Sequence, residues 1–388
     1  MTSSVGFVDV LPFRSPALPS FSLSKQTCQK RPSRLHNLRI YMDTIRPPIV
    51  RIPPELKSVR VLGLGMSGVD ILATVDGYPK PDDKVRTTSV SVLGGGNTAN
   101  TLTAVRRLGM PCALVSKVGK DMYGSAAIQE LQGDGVDTSL VLAKEGVNTS
   151  FTYVIVDTKN DTRTCISTAS NEDLLVSEID ESMLDNASLV VLDGRHTLAA
   201  LQLAKFAKNR GIPILLDVER ERPYIRDLLP YADYIVTNSV YPFVFSPGAT
   251  GKVDAMEMLL EACDAKMVIT TLGSSGSIMV QRENDREKGN GFDMIVRSTV
   301  VQSHRNSKSY EVIKCPAQPV QKIVDSTGAG DAFIGGVIYG IVTNMSHERM
   351  LCLASRVAAK KLGEIGARAG LPRREDIAPT LLVSIPSL

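Results

Sequence analysis

The sequence predicts an α/β fold: a Rossmann-like parallel sheet sandwiched between helices. Three observations carry it. Between residues 188 and 273 strand-type and helix-type runs alternate: SLVVLDG, LAALQLAKFAKN, IPILLDV, IRDLLPYA, DYIVTN, AMEMLLEAC and KMVITTLG. The strand-type runs are almost continuously apolar, as in strands buried on both faces. Two glycine-rich turns, 94–100 and 325–333, each lead from an extended run into a helix-compatible one, and in such sheets functional loops stand at the carboxyl ends of strands. A chain of 388 residues with 43% hydrophobic content can bury a core of the required size.

Residues 1–50 stand apart. They hold seven Lys or Arg against two acids, are rich in Ser and Pro, and lack the compact apolar core of a secretory signal. That is the composition of an organelle transit peptide, and the MTSS start resembles plant chloroplast types. A removed chloroplast leader is therefore expected ahead of a folded domain at 51–388. A merely disordered tail is the alternative, and initiation at Met42 would give a cytoplasmic form. The whole chain carries +3, so the remainder beyond residue 50 comes to −2, which argues against a nucleic-acid partner. No apolar run approaches the ~20 residues of a bilayer span, so no membrane partner is expected. Six scattered cysteines and four isolated histidines read as structural thiols and speak against a zinc site.

From residue 59, VRVLGLG is a buried strand whose glycines let the chain turn at its end. Asp70, beside that turn, is either a cap or a ligand contact. GYPKPDDKVRTTSVSVL alternates in its second half like an exposed strand and leads into Gly94-Gly95-Gly96-Asn97-Thr98-Ala99-Asn100. The helical TLTAVRRLG and the strand CALVSKVG follow. The turn lacks both G-x-G-x-x-G and the Gly-Lys-Ser/Thr of a phosphate loop. It is either tight packing or a presentation of two amides, Asn97 and Asn100, that donate and accept hydrogen bonds together. The second suits vicinal sugar hydroxyls. Residues 149–168 are two alternating runs around the polar turn KND, a hairpin with Arg163 just past its tip. ITTLGSSG, residues 269–276, is a strand ending in a small-residue loop, and 281–311 reads as a long hairpin and its tip.

The most informative stretch is Asp325-Ser326-Thr327-Gly328-Ala329-Gly330-Asp331-Ala332-Phe333, preceded by a β-type run over 320–324 and followed by the helix-compatible IGGVIYGIV. Its small residues let the backbone turn tightly and leave N–H groups uncovered, with the positive end of a helix dipole behind them. Such a turn binds an anion, for example a transferring phosphoryl group. Asp331 at its mouth repels a resting phosphate. A general base that takes a proton from an attacking hydroxyl explains both features; an ordinary first-turn acid is the alternative.

This string closely resembles the D-[ST]-T-G-A-G-D signature of the ribokinase-like (PfkB) carbohydrate kinases. The segment from Gly96 through Gly109, Gly119, Asp121 and Gly124 resembles their N-terminal signature, so that the resemblance spans roughly residues 59–375. The GN-x-x-N form with upstream Asp70 is most similar to ketohexokinase-type members, whereas ribokinase-type members carry lysine where Asn97 stands. The resemblance implies a ribokinase-like fold with a small β-sheet lid from about 73–93 and 149–168. It implies ATP- and Mg²⁺-dependent phosphorylation of a small sugar, a ketose such as fructose or a pentose.

By the same resemblance Asp331 is the base and Gly328, Ala329 and Gly330 are the anion hole. Asp70, Gly96, Asn97 and Asn100 hold the sugar, Arg163 meets the nucleotide phosphates, and Thr271, Gly273, Ser274 and Gly276 lie beside ATP. Asn238 falls where many members carry Asn-x-x-Glu for magnesium-bound water, yet Ser239, Val240 and Tyr241 follow it and the acid is missing. Asp325 and Thr327 imply a loop for a monovalent cation such as K⁺, and the lid implies a homodimer formed with a second lid. Two other readings stay open: a nucleoside kinase of the same family, and a catalytically idle PfkB-like structural partner in plastids. The undamaged Gly-Ala-Gly-Asp argues against the latter. Asp193-Gly194-Arg195 and residues 218–223 resemble ketohexokinase-type segments, without a physical role that the sequence supplies.

Overall fold

The computed structural model describes residues 51–160, 162–283, 296–303, 305–306 and 308–382. The leader expected over 1–50, the second start at Met42 and the tip of the 281–311 segment lie outside them. In chain order the strands are β1 (Val61–Leu64), β2 (Gly68–Val75), β3 (Ser89–Gly95), β4 (Cys112–Gly119), β5 (Val141–Lys144), β6 (Phe151–Asp157), β7 (Thr162–Thr168), β8 (Leu189–Leu192), β9 (Ile214–Val218), β10 (Tyr234–Thr237), β11 (Met267–Thr271), β12 (Ser277–Arg282), β13 (Arg297–Gln302) and β14 (Ser309–Cys315). The helices are α1 (Asn97–Arg107), α2 (Met122–Gly133), α3 (Thr197–Asn209), α4 (Ile225–Leu228), α5 (Tyr241–Phe245), α6 (Lys252–Cys263), α7 (Ala329–Val342) and α8 (His347–Lys361).

The large sheet has the order β13-β14-β12-β11-β10-β9-β8-β1-β4-β5. From β5 to β11 every pairing is parallel, and β12, β14 and β13 close one edge antiparallel. The central strands are buried along their whole length, which is why they read as unbroken apolar runs. Alternate residues serve opposite layers. Val61, Leu189 and Val191 pack with α1, α7 and α8, whereas Leu62, Leu64, Val190 and Leu192 pack with α3 and α6. Each such fully buried side chain stabilises the fold by about 1.5–3 kcal/mol.

A separate four-stranded sheet has the order β3-β2-β6-β7, with β2 and β6 parallel and the outer pairs antiparallel. This is the lid, and it begins earlier than expected. The whole of β2, from Gly68, belongs to it, so Asp70 stands on a lid strand rather than beside a turn. The break between β1 and β2 is only three residues long, and the apolar pattern runs straight across it, which hides the change of sheet.

Two other expectations are corrected. Residues 320–324 form no strand, because Pro316 and Pro319 remove backbone donors just after β14 and Val324 N–H bonds instead to Leu362 O at 2.8 Å. The expected long hairpin is a shorter one: β13 pairs with β14 over 297–315, and β14 in turn lies against β12. Among the described residues no helix is long and apolar enough to cross a membrane.

Candidate active site

The seven parallel strands end on one edge of the sheet, and a cleft of about 860 Å³ opens there between this edge and one face of the lid. Period-2 alternation on the lid strands aims Thr152 and Val154 of β6, and Arg163, Cys165 and Ser167 of β7, into the cleft. Asp70, Gly96, Asn97, Asn100, Thr327, Gly328, Gly330 and Asp331 line the same space.

Gly328 caps α7 at φ 75, and a Cβ there would stand 2.8 Å from Ala367 Cα, so the turn requires glycine. Gly330 and Asp331 fall in the first turn of α7, where the helix supplies no carbonyl for their N–H groups and its dipole adds positive potential. The space beside Gly330 is open, with no atom within 4 Å of a Cβ position. Asp331 is 8% exposed. Burial pushes its carboxyl up to about 8, against a hydrogen bond from Asn100, with Glu219, Asp193 and Asp70 adding to the rise.

Asn100 fixes the orientation of that carboxylate. Its Nδ2 donates to Asp331 Oδ2 at 2.8 Å, and its Oδ1 accepts from Arg368 Nε at 2.9 Å. A guanidinium only donates, so the amide cannot flip without losing both bonds. Arg368 is itself buried and reaches Gly95 O at 2.9 Å and Glu130 Oε1 at 3.2 Å. Glu130 Oε2 accepts Gly94 N–H at 2.6 Å, closing the chain onto the glycine-rich turn.

Within that turn Gly96 adopts φ 100, and a Cβ there would meet Met66 O at 2.3 Å. The backbone therefore swings α1 towards the sheet edge, and Asn97 hydrogen-bonds Asp217 at the end of β9. Burial, then the charges of Glu219, Asp331 and Asp193, raise Asp217 well above the ordinary carboxylate range. Asp70 is raised to about 6 by burial, which outweighs Arg368 and a hydrogen bond from Thr152, its neighbour across the β2–β6 pair. Asp193 supplies what the sequence left unassigned. Its Oδ2 accepts Met66 N–H at 2.9 Å and Thr98 N–H at 3.2 Å, tying the β1–β2 link and the start of α1 to the end of β8.

A family comparison decides what this cleft belongs to: the description pfkB family carbohydrate kinase matches residues 57–374. The chain is a member of the pfkB carbohydrate kinase family. A ribokinase of Arabidopsis thaliana is 23% identical over 99% of this chain and 98% of its own length. An ATP-dependent ribose-1-phosphate kinase of Halopiger xanaduensis is 28% identical over 83% of this chain and 98% of its own length. The structure of Arabidopsis thaliana ribokinase complexed with ribose and ATP shares the fold, with TM-score 0.68, 22% identity and coverage of 84% and 99%.

In this pfkB kinase the candidates at the ends of β10 and β11 lie elsewhere on the sheet edge. Thr271, Gly273, Ser274 and Gly276 form the β11–β12 connection and do not line the cleft. Thr271 Oγ1 donates to Thr237 O at 3.3 Å. The Asn238 amide is taken up by backbone: Nδ2 donates to Glu219 O at 2.8 Å, and Oδ1 accepts from Val240 and Tyr241 N–H at 3.0 and 2.9 Å. Ala329 is the first residue of α7 and bonds back to Ser326 O. Arg163 crosses from the lid to Asp325 Oδ1 at 2.8 Å and Thr327 Oγ1 at 2.7 Å. Sequence reading missed Glu130, Asp217 and Arg368; each is far in the chain from the group it holds.

Proposed function

We propose that this kinase transfers the γ-phosphoryl group of ATP to a hydroxyl of ribose or a similar small sugar, with Asp331 as the general base. The observation that carries the reading is the buried Asp331 carboxyl at the open first turn of α7, held by Asn100 Nδ2 inside a cleft that Asn97 and Asn100 also line. Asp70, Gly96 and Asn97 would hold the sugar, with Asn100 contributing both a contact and the orientation of Asp331. Once a sugar hydroxyl stands near Asp331 Oδ1, its proton can pass to the ionised carboxylate as the oxygen attacks the γ-phosphorus and the bond from that phosphorus to the bridging oxygen breaks, with ADP as the leaving group. The N–H groups of Gly328 and Gly330 would then face the equatorial phosphoryl oxygens, while that of Ala329 is taken up by Ser326 O. Arg163 on the lid would meet the nucleotide phosphates as the lid closes, and residues 271–276 would flank the nucleotide farther along the sheet edge.

Magnesium would neutralise phosphate charge during the transfer. Among the described residues no group of three or more His, Cys, Asp or Glu could hold a metal alone, which fits an ion carried mainly by phosphates and water with one or two protein carboxylates. Glu219, in the cleft and with its carbonyl fixed by Asn238, would supply one such carboxylate in place of the missing Asn-x-x-Glu acid.

A second reading has its own support. Arg195, Arg220 and Arg222 all line the cleft, and Arg222 is pulled down by burial and by the two neighbouring guanidinium charges. Such a cluster suits an acceptor that already carries an anionic group. ADP release across ribose, fructose, ribose-1-phosphate and nucleosides separates the readings. Turnover with neutral sugars supports the first, and turnover confined to the phosphorylated sugar replaces it with the second. Turnover with nucleosides alone, or with none of them, overturns both.

The outer face of the lid supports a homodimer. Val92, Tyr153 and Ile166 lie in one cross-strand row through Ile71 and are 45%, 45% and 51% exposed. Light scattering is expected to give a dimer mass that falls to the monomer in a Val92→Lys/Ile166→Lys protein. A monomeric parent would remove this assignment. The composition of residues 1–50 supports delivery to the chloroplast, and a fluorescent fusion of that segment that stays in the cytoplasm would exclude it.

A further inference from the structure

The loop expected to hold a free monovalent cation already has a cation of its own. Lys361, the last residue of α8, has a fully buried side chain. Its Nζ donates to Asp325 O at 2.7 Å and to Glu364 O at 3.3 Å, with Asp325 Oδ2 at 4.0 Å. Backbone bonds stitch the same two segments together: Val324 and Asp325 N–H reach Leu362 O, and Gly366 N–H reaches Asp325 Oδ2 at 2.8 Å. Asp325 Oδ1 meanwhile accepts from Thr327 N–H, Thr327 Oγ1 and Arg163 Nη1.

The surroundings of Nζ are oxygen acceptors, as an ammonium with three donors and no acceptor requires. Burial pulls the Lys361 amine down and Asp325 holds it up. For Asp325 itself, burial is outweighed by the Thr327 and Gly366 hydrogen bonds and the Lys361 charge, which keep its carboxyl ionised. A K⁺ ion bound by the Asp325 oxygens would share them with Lys361 and would sit a few ångströms from a buried ammonium with little water to screen the repulsion. The residues present therefore do not fit a free ion.

We propose that the Lys361 ammonium is the resident cation beneath the 325–328 turn, and that phosphoryl transfer by this chain needs no free monovalent ion. Lys361 acts as a positioning residue. It fixes the backbone that enters α7, and it adds a positive charge, held by Asp325, behind the turn. The proposal rests on the kinase reading of the cleft, and its test includes a readout independent of turnover.

The full chain is assayed for turnover and for melting temperature in potassium, ammonium, sodium and tetramethylammonium chloride at one ionic strength. Turnover and melting that are the same in potassium and tetramethylammonium are expected for the parent. In Lys361→Ala, turnover in tetramethylammonium should fall roughly 10–100-fold, as when a supporting partner of a site is lost. Potassium or ammonium should then restore part of it and raise the melting temperature specifically. A parent activated or stabilised specifically by potassium overturns the proposal, as does a Lys361→Ala protein that keeps parental turnover in tetramethylammonium. Equal loss in all four salts, with no potassium-specific shift in melting, also overturns it. Should the variant not fold, the parent's salt series decides. Should no sugar be turned over, the kinase reading fails, while the melting series still tests the resident cation.

Discussion

Asp331→Asn is expected to slow turnover about 10²–10⁴-fold while leaving nucleotide and sugar binding near parental values. The substitution keeps the shape of the side chain and an oxygen to accept from Asn100 Nδ2, now 2.8 Å from Asp331 Oδ2. What it removes is the capacity to take a proton. Single-turnover measurements with bound ATP and sugar isolate that step. A variant within a few-fold of the parent would show that Asp331 is only a first-turn acid.

The same residue sets two opposite pH trends. A base works ionised, and burial pushes this carboxyl up to about 8, so kcat/KM is expected to rise with pH and level off above about 8. Stability moves the other way. Between the ordinary value of 3.8 and about 8 the unfolded chain has lost this proton and the folded chain keeps it. The folded state binds more protons, so this contribution is complete below the ordinary value and is lost as pH rises through about 8. Asp331→Asn lacks that penalty. Thermal melts of parent and variant should separate in favour of the variant, with the gap widening from pH 6 to pH 8.

The parts of the site that were legible in the sequence are those whose groups are adjacent in the chain. The 325–331 turn holds the uncovered N–H groups at the start of α7 and the Asp331 carboxylate within seven residues, and 94–100 holds a glycine at positive φ and two amides within the same length. The α/β core was legible because buried parallel strands are uniformly apolar. What joins these pieces was not. Arg368 acts 268 positions from Asn100 and 238 from Glu130, and a basic residue near a chain end reads as a solvated charge until the fold buries it. Lys361 is hidden for a similar reason: a lysine in the last turn of a helix is ordinary dipole complementation, and only the reach to Asp325 O shows otherwise. Asp70 was found but misplaced, because an apolar run with glycines does not reveal where one sheet ends and another begins.

Arg368→Met should destabilise the protein by about 3 kcal/mol, since it strands a partly buried carboxylate and an amide oxygen at once. Glu130 loses its cation while still holding Gly94 N–H, and Asn100 Oδ1 loses its donor. The catalytic consequence follows through Asn100. Freed from Arg368, its amide can rotate and turn an oxygen towards Asp331, setting acceptor against acceptor and favouring the protonated carboxyl. The midpoint of the kcat/KM profile should therefore move above about 8, with turnover at pH 7 reduced accordingly. Glu130→Gln in the same protein separates the two effects. Removing the stranded charge should recover part of the lost stability, with a coupling of roughly 0.5–3 kcal/mol in a denaturation double-mutant cycle. It should leave the shifted pH profile unchanged, because Glu130 does not touch Asn100 or Asp331. A profile restored together with stability would mean that Arg368 acts by holding the glycine-rich turn in place rather than by orienting the amide that faces Asp331.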